Sequence, residues 1–253
     1  MRYDDVNHDW YRGGVVRKGD NGERRTAPTP GKLLVGIVSV FFVLALVGCG
    51  LVELRSSEEN AGGSGTTQVG NSDEASQALQ ELEVSEPGSM SGYSRESFEH
   101  WSRANDFGWD APEDSCDARE AALIRDGEDV EVGSGCKVTS GSWYDPYTTQ
   151  TFNDPQEIDI DHVVPLANAW RSGASSWSDE ERERYANDPE VLLSVEDNAN
   201  QSKGDKGPEA WKPPNEAVWC DYAERWIGIK AKYDLSVNAE EKTALEDMLG
   251  SCA

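Results

Sequence analysis

Residues 157 to 165 read Glu-Ile-Asp-Ile-Asp-His-Val-Val-Pro. The alternation of polar and apolar side chains is that of a half-buried strand, and Pro165 lacks the amide that further sheet pairing would use. The strand must therefore stop just after Asp161 and His162. About forty positions later the chain reads Asn200-Gln-Ser-Lys203-Gly-Asp205, which sets an amide and an ammonium one turn apart on a helix face. An acidic residue, an imidazole and an amide carbonyl are the parts a hard metal ion and a water nucleophile need to hydrolyse a phosphodiester.

The 253 residues, 37% of them hydrophobic, allow one medium domain with appendages. The run from Leu33 to Val52 is uncharged and long enough to cross a bilayer core of roughly 30 Å as a helix. Arg12, Arg17, Lys18, Arg24, Arg25 and Lys32 precede it, while Glu53, Glu58 and Glu59 follow it. The positive-inside rule then makes residues 1–32 a cytoplasmic basic tail, 33–52 a transmembrane segment or lipoprotein signal, and the remainder exported. Leu46-Val47-Gly48-Cys49 has the form of a lipobox, so lipidation at Cys49 and a plain membrane helix are both open readings. Membrane attachment is expected on either.

Outside that run stand Cys116, Cys136, Cys220 and Cys252, an even set suited to an oxidising compartment. The simplest pairing joins Cys116 to Cys136 and Cys220 to Cys252. No CxxC knuckle argues for zinc. Residues 53–91 are rich in Ser, Gly, Glu and Gln with almost no aromatic residue, the composition of a disordered linker. The folded domain is expected over 92–253, with a transient helix at most over 75–84 before it.

Within the domain the expected elements are a capped helix over 115–125 and strands over 130–138 and 141–147. The strand ending at His162 comes next, then helices over 166–171 and 178–186, a buried strand over 191–195 and a helix from about 196. Two C-terminal helices, over 222–233 and 239–249, complete an α+β domain.

The order strand, connection, strand, helix, together with Asp161-His162-Val163-Val164-Pro165-Leu166, Asn200-x-x-Lys203-Gly-Asp205 and Trp211-Lys212-Pro213-Pro214, resembles the exported bacterial branch of the HNH endonucleases, the ββα-metal or His-Me finger superfamily. The resemblance covers nearly all of 92–253. It implies that His162 is the general base. Asp161 and Asn200 would each give one oxygen to Mg²⁺, or to another divalent cation such as Mn²⁺, and the partner would be a nucleic acid, DNA or RNA.

Some residues keep two readings. Asp159 is a second ligand or outer-shell acid, or a solvated edge carboxylate. Lys203 and Arg119 are phosphate contacts or surface cations, and Trp143, Tyr144 and Tyr147 read better as core than as a stacking platform. The middle Asn of many HNH proteins is absent where expected, with Val191 in its place. A backbone carbonyl, Asn168 or Asn187 is left to orient His162. On an ideal strand Asp161 and His162 face opposite ways, so one site can use both only by wrapping over the strand end.

Charge opposes easy nucleic-acid binding, since the chain carries a net −25. From residue 93 on, 15 Lys and Arg face 35 Asp and Glu. Tight nonspecific duplex binding is excluded unless a groove is locally basic or filled by cations. A noncatalytic cell-surface binding module on a nuclease-like fold is the alternative expectation.

Overall fold

In the computed structural model the described residues are 17–18 and 69–252. The candidate span 33–52 and Cys49 lie outside them. Among the described residues no helix is long and apolar enough to cross a membrane.

The domain is a mixed α+β structure. Helix α1 (Val69–Glu81), the first helix among the described residues, lies along α6 (Trp219–Lys232) and α7 (Ala239–Leu249). This corrects the linker expected through residue 91. Ala75 and Leu79, one turn apart, are buried in the same core as Trp226 and Leu245. Short backbone bridges continue the attachment: Ser85 N–H donates to the Val237 carbonyl at 2.9 Å, and Gly88 N–H to that of Arg171 at 2.7 Å. The short apolar stripe of Ala75, Ala78 and Leu79 is too small to register in composition, and its helix is stabilised by the groove it fills rather than by propensity.

Helix α2 (Ala118–Asp126) starts where the Asp117 carboxylate accepts the Glu120 amide, an ordinary N-cap. Strands β2 (Gly127–Val132) and β3 (Val138–Tyr144) pair antiparallel, and β4 (Thr151–Phe152) adds to β3. The two-residue β1 (Arg17–Lys18) runs parallel to Glu131–Val132 at the other edge. Both expected disulfides form: Cys116–Cys136 with Cα atoms 4.9 Å apart and Cys220–Cys252 with Cα atoms 5.0 Å apart. The first is buried with α2 and β3; the second fastens the C-terminus to the start of α6.

The site rests on a separate antiparallel pair, β5 (Ile158–His162) and β6 (Leu192–Glu196), with Asp161 opposite Leu193 and His162 opposite Leu192. Both faces are covered. Ile158, Ile160 and Leu192 enter the core under α2, whereas Leu193 and Val195 enter the larger core with α6. Between the strands lie α3 (Leu166–Arg171), beginning directly after Pro165, and α4 (Asp179–Ala186), whose Ser178 and Glu181 form a capping box. Helix α5 (Asp197–Lys203) follows β6 without a loop because Glu196 itself caps it by accepting the Ala199 amide. It packs against β5 and β6.

Candidate functional site

Register explains the contacts of α5. Asp159 and Asp161 are two apart on one face of β5, and Asn200 and Lys203 are three apart on one face of α5, so the pairs meet in order. Asn200 Nδ2 donates to Asp159 Oδ2 at 3.2 Å. Lys203 Nζ lies 2.7 Å from Asp161 Oδ1 and donates to the His162 carbonyl at 3.0 Å. Lys203 is completely buried and Asp161 nearly so. Burial pulls the Lys203 ammonium below its usual pKa, while the Asp161 carboxylate opposes that shift. The second Asp161 oxygen accepts the Tyr147 hydroxyl at 2.8 Å.

Tyr147 is delivered by a turn built on buried Asp145, whose carboxylate accepts the Tyr147 and Thr148 amides at 3.2 and 3.0 Å. Burial and the adjacent Asp161 raise the phenol well above its usual pKa, so Tyr147 is a donor to Asp161. Lys203 is thus an interior cation, a role its sequence reading as a surface or phosphate-facing lysine did not anticipate. Gly204, with φ +56° and ψ −126°, ends α5 in a conformation that side chains resist.

His162 stands on the opposite strand face. Its Nε2 lies 3.0 Å from the Ala186 carbonyl, which can only accept, so Nε2 carries the proton and Nδ1 keeps its lone pair. Nδ1 has no hydrogen-bond partner among the described residues. Burial, then the positive charge of Arg95, push the imidazole down to about 3, and it is neutral at physiological pH. The backbone carbonyl takes the orienting place; Asn168 instead accepts from Lys230 at 2.8 Å, and Asn187 spans Glu99 and Ser102.

The ring of His162 is covered by residues far away in sequence. Trp101 lies 6.0 Å from it between ring centroids, and His100 lies 6.4 Å from it edge-on. Trp101 holds φ +65°, unusual for a bulky side chain. Flanking bonds fix it there: Ser102 N–H donates to Asn187 Oδ1 at 2.9 Å, and the Ser102 carbonyl accepts the Ala118 amide at 2.9 Å.

Asp161, His162 and Asn200 all line one cleft of about 270 Å³, with Tyr93, Arg95, Leu166, Gly204 and Asp205 among its other walls. The required wrap over the strand end is therefore present. Arg119 is elsewhere: it pairs with Glu120 at 2.9 Å on α2 and does not line the cleft. Trp143 and Tyr147 are core as expected, while Tyr144 is exposed. Sequence reasoning allowed a backbone carbonyl at His162 without identifying Ala186, and it missed the Tyr147 donor, the Arg95 side of the cleft and the Trp101 ring over His162. Only Tyr147 carried a signal, in the turn-forming Asp145-Pro146 before it.

Oxygen donors fit a hard cation here. Asn200 Oδ1 accepts no hydrogen bond among the described residues, and a carboxylate oxygen that accepts one bond retains a further lone pair. Cys220, Cys252 and Glu224 also lie close together, but the two sulfurs are bonded to each other and offer no thiolate.

The chain matches the model of the GmrSD restriction endonuclease C-terminal domain over residues 117–248. It is also 47% identical, over 181 residues, to an uncharacterized secreted protein of the fungus Arthroderma benhamiae (strain ATCC MYA-4681 / CBS 112371). That similarity covers 70% of this chain and 84% of the relative. No solved structure matches. The disulfides and the secreted relative both suggest an extracellular protein. With the match spanning the β5–β6 pair, α5 and both C-terminal helices, the chain belongs to the GmrSD C-terminal domain family, a nuclease family.

Proposed function

We propose that this domain is a divalent-metal-dependent endonuclease of the HNH, ββα-metal type, working outside the cytoplasm on DNA or RNA. The observation that carries the reading is the fixed tautomer of His162, a residue that lines a cleft shared with Asp161 and Asn200: Nε2–H is committed to the Ala186 carbonyl, and Nδ1 is left without a hydrogen bond among the described residues.

In this reading His162 Nδ1 takes a proton from the attacking water, and Nε2–H keeps the ring in place while the charge appears. A base held as low as about 3 is weak in the empty cleft. A phosphodiester anion brought next to it favours the protonated form and strengthens it when substrate is present. Asn200 Oδ1 and a remaining Asp161 lone pair would hold a Mg²⁺ or Mn²⁺, with Asp159 tethering the Asn200 amide. The bound ion would supply positive charge to the phosphate oxygens and the leaving oxygen. Lys203 and Tyr147 hold the Asp161 carboxylate in one orientation.

The same two contacts favour the second reading, a noncatalytic binding module, because they already satisfy the charge of Asp161. Supercoiled plasmid and single-stranded RNA incubated with the protein in Mg²⁺, Mn²⁺ or EDTA, beside His162→Ala, separate the two. Metal-dependent cleavage lost in the variant supports the nuclease; no cleavage in any divalent ion by folded protein supports the module.

A further inference from the structure

The family match begins at residue 117, yet one wall of the cleft comes from Tyr93 and Arg95. This wall is rigidly attached. Arg182 Nε donates to the Ser97 carbonyl at 3.1 Å, Asn187 Nδ2 to that of Glu99 at 2.8 Å, and Phe98 is fully buried against Trp170 and Tyr185. The backbone that carries Arg95 is therefore fixed, while its side chain is exposed at the cleft.

The charges around the cleft are otherwise matched. Asp161 is paired with Lys203 at 2.7 Å and Asp205 with Arg171 at 3.1 Å. Among the described residues that line the cleft Arg95 alone carries a positive charge, and it makes no salt bridge with any described residue. In a chain of net charge −25, an arginine left open over a cleft marks a place for an anion from outside.

We propose that Arg95 is a substrate-binding residue that grips a phosphodiester anion in this cleft through its guanidinium fork. The nature of the anion rests on the nuclease reading. The planar fork suits two phosphate oxygens at once, which a lysine ammonium does not match. It also answers the objection raised by total charge, since one cation at the edge of a cleft acts locally, where screening by distance is least.

The test is fluorescence anisotropy with a labelled single-stranded oligonucleotide in EDTA, over a salt series, on the whole protein and on Arg95→Ala and Arg95→Lys. The same comparison is repeated in a His162→Ala background so that cleavage cannot interfere. Arg95→Ala should bind about fivefold to tenfold more weakly near 0.1 M salt, with the slope of log affinity against log salt reduced by about 0.7, the signature of one lost phosphate contact. Arg95→Lys should keep most of the slope and recover only part of the affinity. Equal affinity and slope in Arg95→Ala, or no binding by the Arg95 protein, would overturn the proposal. Arg95-dependent binding without cleavage by the parent protein would leave it standing and remove the nuclease reading, whereas cleavage with unchanged kcat and KM in Arg95→Ala would do the reverse.

Discussion

The Lys203 ammonium on α5 sits 2.7 Å from the Asp161 carboxylate on β5, with both side chains out of solvent. The pair joins the helix to the strand that carries the candidate site, and Lys203 reaches on to the His162 carbonyl. Lys203→Met would leave Asp161 charged and unmatched, a loss of about 3–5 kcal/mol for a buried pair broken on one side. Urea unfolding should register it, and adding Asp161→Asn should return part of the loss. A Lys203→Met midpoint equal to that of the parent would deny the pair this role.

Removing the proposed base should be more damaging to activity than to structure. We expect His162→Ala to lower cleavage by roughly 10²–10⁴-fold, the usual contribution of a general base, with near-UV circular dichroism preserved. Full cleavage by the variant would take His162 out of the mechanism.

Acid should destabilise the domain through the same residue. The imidazole titrates at about 3 when folded against its ordinary 6.5, so between those values the unfolded chain binds the extra proton. The stabilisation from His162 is complete above pH 6.5 and is lost as pH falls towards 3, by up to about 1.4 kcal/mol per pH unit. Denaturant midpoints at pH 7.5 and 5 should differ more for the parent than for His162→Asn. The acid limb of kcat/KM for the free enzyme should lie below pH 6.5; a limb at or above that value would contradict a neutral, buried imidazole.

Helix α1 should be part of the cooperative unit. Leu79→Ala removes a fully buried side chain and should cost about 2–5 kcal/mol, while a chain starting at residue 92 should melt lower than one starting at 69. Identical melting of the two would return 69–91 to the status of a tether.

Reduction should be costly. The disulfides close separations of 20 and 32 residues, and loop-closure entropy assigns each about 3–4 kcal/mol. Thermal melts of Cys220→Ala/Cys252→Ala, compared with the parent with and without reductant, would measure the second. No shift in melting would mean that α6 and α7 hold the C-terminus unaided.

The elements around the site were legible because their signals are local. Leu166–Arg171 and Ala239–Leu249 follow directly from helix periodicity and flanking breakers, and Pro165 marks where β5 must stop. Asp161, His162 and Asn200 could be read together because strand alternation and helix spacing constrain side-chain direction. The partners that define their chemistry could not. The Ala186 carbonyl is a backbone atom with no residue preference, Trp101 reaches His162 through a left-handed backbone turn, and Arg95 sits in a three-residue 3-10 turn without any periodicity. Lys203 misled because lysine is rarely buried, and only the contact with Asp161 reveals why this one is.

Helix α4 opens on three exposed acidic residues, Asp179, Glu180 and Glu181, yet its last residue supplies the carbonyl that sets the His162 tautomer, and Tyr185 beside it donates to the Val164 carbonyl. One residue added or removed within α4 would turn that end by about 100° and shift it by about 1.5 Å. The helix therefore behaves as a gauge block whose length is locked to the proton position on a ring in another element.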